Sequence, residues 1–337
     1  MITSGGNPIT VIALLAFAAA FLAFSNGAND NFKGFATVWG SETLSFRRAL
    51  VLATGATVLG GIASLVIAES LLQQFSGKGL VGDELANTPG FALAVAGGAA
   101  TTVMLATRLG FPISTTHALV GGLVGAGLAQ SETPINLANL GTGFVLPLLS
   151  SPFISAGLGY AAYRLLRAAR ERNARMPTLS SAATTEIAHT RTLDGVHLLS
   201  ASVICFARGV NDTPKLAALL LASQLVSGTG SALVVTVAMG AGGWLLSRRV
   251  AETMSHRINR LDTGQGVSAN LITAALVLFA SRLGMPVSTT HVSVGSIIGT
   301  GGAAGTLHGQ VVRNVLLSWV ATLPISAGIA YAISWVV

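Results

Sequence analysis

The sequence predicts an all-α integral membrane protein. It should contain about ten to twelve transmembrane helices or half-helices, arranged as two inverted-topology repeats with broken helices. Three observations predict this. Only 9% of the 337 residues are charged and 51% are hydrophobic, whereas a soluble globular chain carries about 25% charged residues. Mean hydropathy is +0.69, and apolar runs recur along the whole chain. Three motifs of the first half also return in the second half in the same order. Together these exclude a soluble enzyme, a nucleic-acid-binding domain and a secreted disulfide scaffold. The single Cys205 has no internal partner and says nothing of the redox compartment.

Ten apolar segments lie near 9–26, 48–72, 88–107, 112–129, 141–163, 196–222, 229–247, 264–281, 286–304 and 311–336. A bilayer core takes about 20 apolar residues per helix. The segments 112–129 and 286–304 are short for this and read as half-helices or hairpin arms. The first segment has no basic flank before it, which argues against a cleaved signal peptide.

The pI near 10.5 reads first as topology. Arg47 and Arg48 follow the first segment. Arg164, Arg167, Arg170, Arg172, Arg175 and Arg191 flank the centre, and Arg248, Arg249, Arg257 and Arg260 fill the seventh loop. Ten crossings place these clusters on one side. The opposite loops hold Asp83, Glu84 and Glu132, with Lys78 and Arg282 as exceptions. The positive-inside rule makes the basic side cytoplasmic and both termini external, in a prokaryotic plasma or inner membrane. An anionic-lipid site is the alternative reading of the arginines.

A polar stretch at 170–192 separates a first repeat, 1–169, from a second, 193–337. FSNGAND at 24–30 echoes FARGVND at 206–212, and RLGFPISTTH at 108–117 echoes RLGMPVSTTH at 282–291. ISAGLGYAAY at 154–163 echoes ISAGIAYAIS at 325–334. The displacements are 182, 174 and 171 residues. Five segments per half is an odd number, so the second half enters the membrane inverted, as in secondary transporters. A duplication kept only for packing is the plainer alternative.

Asn29 and Asp30 interrupt the first segment, and Asn211 and Asp212 the sixth. An ionised Asp at mid-membrane costs about 2.5–3.5 kcal/mol, so it faces a cavity or a partner. Gly27 and Gly209 precede these pairs and Pro214 follows the second, a pattern that fits helices broken at mid-membrane. A simple turn between short helices would also use Asn-Asp. Lys33 and Lys215 follow each Asp by three residues, on the same helix face. They read as buried ion-pair partners or as fixed positive charge for an anion. Arg208 adds a cation to the second motif where the first has Asn26. If all five charges line one cavity, Asp30 and Asp212 against Lys33, Lys215 and Arg208 leave one positive charge in surplus.

Proline in the second motif suits a first helical turn. Ser114, Thr115 and Thr116, like Ser288, Thr289 and Thr290, then sit at helix N-termini, where free N–H groups and the dipole favour an oxyanion. Ser-Thr-Thr alone is more often a helix cap. His117 and His291 read as packing residues, a proton relay or anion donors. The glycine excess, 40 residues, places further helix breaks at Gly110 and Gly284. The sequence has no His-Glu-x-x-His, Cys cluster or Gly-x-Ser-x-Gly. It predicts no enzyme and no cofactor.

These motifs resemble the inorganic phosphate transporter (PiT) family, over about 20–335 of the chain. That family carries Gly-Ala-Asn-Asp-Val-Ala-Asn in each half and Pro-x-Ser-Thr-Thr-His elements. The resemblance implies cotransport of inorganic phosphate with Na⁺ or H⁺ by a homodimer in the bilayer, with the substrate between the halves. It implies that Asn29, Asp30, Asn211 and Asp212 bind coupling cation and phosphate, with Na⁺ at those four residues, while the Ser-Thr-Thr elements cradle the anion. In both halves, however, lysine replaces the signature's last Asn: Asn31-Phe32-Lys33 and Thr213-Pro214-Lys215. An ammonium cannot ligate Na⁺. At least one sodium role is therefore expected to be lost, leaving H⁺ coupling, uniport or exchange. Another oxyanion such as sulfate, or an anion channel, are the competing functions.

Overall fold

The computed structural model describes residues 7–67, 79–174, 182–259, 261–283, 285 and 287–337. The expectations placed on Lys78, Arg175, Arg260, Gly284 and Pro286 fall outside those residues. The regular elements among the described residues are helices: α1 (Pro8–Asp30), α2 (Ala36–Gly40), α3 (Phe46–Ile67), α4 (Asp83–Ala86), α5 (Pro89–Leu109), α6 (Thr115–Gln130), α7 (Leu146–Ala174), α8 (Ala182–Leu221), α9 (Gly228–Leu246), α10 (Arg248–Glu252), α11 (Thr263–Arg282), α12 (Thr289–Ala304) and α13 (Gly309–Ser334), with a short helical turn at Leu137–Asn139 and π-helical segments at Leu140–Val145 and Thr253–Arg257. Among the described residues, eight helices are long and apolar enough to cross a membrane. The two short segments become α6 and α12, of 16 residues each. The polar 170–192 stretch overlaps the end of α7 and the start of α8.

Polar residues mark the helix starts. Asn7 caps α1 ahead of Pro8, and Thr88 caps α5 ahead of Pro89. Asp262 and Gln265 close a capping box on α11. In each case a side-chain oxygen takes up an orphan N–H that an apolar surround would leave unmet. Large apolar side chains such as Phe17, Phe153 and Val320 point outward, while Asp30, Lys33, Arg208, Asp212 and Lys215 are buried. This is the reverse of a soluble protein and suits a hydrocarbon solvent.

The two halves interleave. α1 packs on α9 and α8 on α3; α6 packs on α13 and α12 on α7. Each pairing becomes its mate when the halves are exchanged. Glycines allow the closeness. A Cβ on Gly27 would lie 1.9 Å from the Met239 carbonyl, and one on Gly242, 1.9 Å from that of Phe24. A Cβ on Gly209 would lie 2.3 Å from the Thr57 carbonyl, and one on Gly60, 2.0 Å from that of Phe206. The same 182-residue displacement relates the two sets. Small residues at such crossings let backbones meet where lipid offers no hydrophobic drive.

This corrects two expected breaks. Helix α1 runs through Gly27 and ends only at Asp30, and α8 runs unbroken through Gly209, Asn211, Asp212 and Pro214. Gly27 and Gly209 serve close approach, not a change of direction. Pro214 removes one helical donor without ending the helix. Gly110 does break the chain: it closes α5 in the left-handed region at φ 79°, where a side chain would be strained.

Candidate functional site

The site is assembled from the end of α1, the C-terminal third of α8 and the two turns that lead into α6 and α12. Asn29 holds the first turn. Its amide donates to the Thr107 hydroxyl (2.9 Å) and the Phe111 carbonyl (3.0 Å), and its oxygen accepts from the Ile113 N–H (3.2 Å). Both amide donors are thereby used within the fold. Asn211 plays the corresponding part more lightly. Its oxygen accepts from the Ser281 hydroxyl (3.1 Å) and its amide donates to Asp212 Oδ1 (2.9 Å). Asn29 thus positions the turn into α6, while Asn211 ties the end of α11 to Asp212.

Those motifs do begin helices. The Ser114 hydroxyl accepts from the His117 N–H (3.0 Å), and the Ser288 hydroxyl from the His291 N–H (3.1 Å). Both serines are therefore caps. The threonines reach further. Thr290 donates across to the Ile113 carbonyl (2.6 Å), and Thr116 to the Val287 carbonyl (3.4 Å). Thr115 accepts from the Asn26 amide (3.0 Å), and Thr289 is buried in the matching turn. The first turns of α6 and α12 thus confront one another, bringing two positive helix ends to one place.

The charges gather there. Lys33 bonds to the Asp30 carboxylate, to the Thr290 hydroxyl and to the Ile113 carbonyl (3.4 Å). Lys215 lies 3.8 Å from Asp212 Oδ1 and donates to the Val287 carbonyl (3.0 Å) and the Thr116 hydroxyl (3.2 Å). Arg208 pairs through Nε with Asp212 Oδ2 at 3.5 Å and donates to the Asn26 side-chain oxygen (2.5 Å) and the Thr57 hydroxyl (3.3 Å). The Asn26 amide lies 3.4 Å from Asp30 Oδ2 and 3.3 Å from Asp212 Oδ2, which joins the two carboxylates into one network. All five charged residues are no more than 4% exposed. Two aspartates and three cations share one enclosure, with a surplus of one positive charge. Buried ions persist only where partners and hydrogen bonds offset lost hydration, and here each has several.

His117 and His291 lie in the same first turns of α6 and α12. Their ring centroids are 4.4 Å apart, and His291 stacks on Trp319 at 3.9 Å. Both line an apolar cavity with Leu148, Pro152 and Trp319, away from the carboxylates. Sequence reasoning missed Thr107, Ser281, Thr57 and the carbonyls of Ile113 and Val287. Thr107 and Ser281 occupy matching places just before the Arg-Leu-Gly of each repeat. Small hydroxylated residues at a repeated position in an apolar helix were the available signal. Carbonyls leave no trace in residue type.

Comparison with known proteins places the chain among phosphate transporters. The model of the phosphate transporter family matches residues 26–330, a span that includes both charged motifs and both turns. A protein of Rhizobium meliloti described as a probable low-affinity inorganic phosphate transporter is 30% identical, over 92% of this chain and 91% of its own length. An inorganic phosphate transporter of the Arabidopsis thaliana chloroplast is 26% identical, over 94% of this chain and 70% of its own. The fold is similar to a solved structure titled the sodium-dependent phosphate transporter, with a TM-score of 0.83 and 24% identity over 97% and 98% of the two chains. This multi-pass membrane chain belongs to the phosphate transporter family.

Proposed function

We propose that the protein is a secondary transporter that carries inorganic phosphate through the membrane by alternating access. The observation that carries this reading is the meeting of two helix N-termini with three cations and only two carboxylates in one buried enclosure. Helix ends supply N–H groups and positive potential to an oxyanion, and the threonine hydroxyls can turn their donors from the backbone carbonyls to phosphate oxygens. The relatives' descriptions as phosphate transporters support the same substrate.

Because the enclosure is buried, an anion enters only when the interleaved halves shift against each other. A repeat that rocks about a central site opens it to each side in turn. In this reading the basic loops are cytoplasmic, the termini lie outside and the chain works as a homodimer in a prokaryotic plasma membrane. Transport draws on H⁺ or on the anion's own gradient, since the lysines stand where a dissolved cation would balance the aspartates.

The test is uptake of radiolabelled phosphate into proteoliposomes with Na⁺ and pH gradients varied separately. Saturable uptake that is indifferent to the Na⁺ gradient at fixed pH is expected. Strong dependence on that gradient would contradict the coupling, and flux without saturation would mark a channel. Sulfate is the second substrate to compete, because hydroxyls, N–H groups and lysines read oxyanion charge more than identity.

A further inference from the structure

The two lysines do more than neutralise their aspartates. Each ammonium sits among oxygens of three chemical kinds. Lys33 meets the Asp30 carboxylate, the Ile113 carbonyl and the Thr290 hydroxyl. Lys215 meets the Asp212 carboxylate, the Val287 carbonyl and the Thr116 hydroxyl. The carbonyl comes from the lysine's own half, from the turn into its short helix. The hydroxyl comes from the other half. An ammonium has three N–H donors, and both cages offer three acceptors. An ion pair in the plain sense needs only the carboxylate, and chance would not rebuild the same carbonyl and hydroxyl pair 174 residues apart. Carboxylate, carbonyl and hydroxyl oxygens are also the donor set that hard cations take.

We propose that the Asp30–Ile113–Thr290 and Asp212–Val287–Thr116 oxygens form two alkali-cation cages that Lys33 and Lys215 fill as tethered ions. Each cage admits a free monovalent cation once its lysine is replaced by a neutral side chain. This deepens the transport reading at the same site. The cations that balance the carboxylates are part of the chain, so turnover need not carry them. Each cage also joins the halves through its threonine, so the cation at that contact stays with the chain when the halves shift, where a dissolved ion would come and go.

The test uses purified full-length protein without any anion substrate, so its failure leaves the phosphate reading standing. Wild type, Lys33→Asn and Lys215→Asn are melted in Na⁺, K⁺ and N-methylglucamine buffers of equal ionic strength. Wild type should melt at one temperature in all three. Each variant should show a saturable rise in Tm of a few degrees with Na⁺ or K⁺ over N-methylglucamine, by linkage to a ligand that binds only the folded state. Folded variants indifferent to all three cations would overturn the proposal. So would a wild type stabilised by Na⁺ alone. If a variant survives purification only in an alkali cation, the cage is supported. If neither is recovered in any cation, the lysines are irreplaceable ion-pair partners and the proposal fails.

Discussion

The two charged motifs occupy equivalent places, yet they are built differently. Around Asp30 the helix stops, the carboxylate holds one cation, Lys33, and the position four residues earlier is the neutral Asn26. Around Asp212 the helix continues to Leu221, and the carboxylate is shared by Arg208 and Lys215. Asn26 and Arg208 are repeat equivalents, and they touch each other at 2.5 Å. Residues that are equivalent under the exchange and also in contact lie near its axis. Two arginines there would repel, whereas two asparagines would remove the surplus charge. A mixed pair keeps the contact and leaves one positive charge. The asymmetry thus sits where symmetry would cost most, while the caps, the cross-half threonine bonds and the glycine contacts keep matching partners.

The comparison can be broken most sharply at the carboxylates. Losing one partner of a buried ion pair costs about 3–5 kcal/mol. Asp212→Asn strands two cations and Asp30→Asn one, so Asp212→Asn should lower the melting temperature more. Both should abolish uptake. Binding of phosphate should persist in both, since each gains net positive charge and holds the anion without releasing it. Normal uptake by either variant would remove that motif from the mechanism.

Next are the glycine contacts. Gly27→Ala and Gly209→Ala should each destabilise by about 1–3 kcal/mol, because the new Cβ meets backbone in both halves. Gly55→Ala, where a Cβ meets nothing within 4 Å, should stay within about 0.5 kcal/mol of wild type. Equal melting of the three would refute close approach as the glycines' role. Arg208→Asn makes the axis symmetric and removes the surplus charge. It should weaken phosphate binding roughly tenfold, about 1.4 kcal/mol, and an unchanged affinity would show that the arginine only supports the fold. The smallest effect belongs to the caps. Ser114→Ala and Ser288→Ala should each lower stability by about 1 kcal/mol, and a marked inequality between them would set the two turns apart.

Much of this was legible in the residues. Long apolar runs marked the helices, since a bilayer demands length and apolarity of any span. The paired Ser-Thr-Thr motifs marked α6 and α12, because a hydroxyl cap acts locally; Pro112, expected in the first turn, instead lies two residues before the Ser114 cap. The convergence of Asp30, Lys33, Arg208, Asp212 and Lys215 was readable only as a condition, and the fold meets it. The helix breaks were misjudged at Gly27 and Gly209. Glycine serves bends and close crossings alike, and nothing in its neighbours tells which. Asn29 also braces the turn into α6, and Asn211 joins the end of α11 to Asp212, contacts that their residue type did not announce. An amide's choice of partner depends on what the fold brings near, here Thr107, Phe111, Ile113 and Ser281.

The central claim is that this enclosure holds an oxyanion without a dissolved sodium ion. Equilibrium binding of radiolabelled phosphate to the purified protein, with Na⁺ exchanged for N-methylglucamine at constant ionic strength, tests it most directly. The account predicts saturable binding of equal affinity in both buffers, weakened in Arg208→Asn. Absence of saturable binding, or binding seen only with Na⁺, would contradict it.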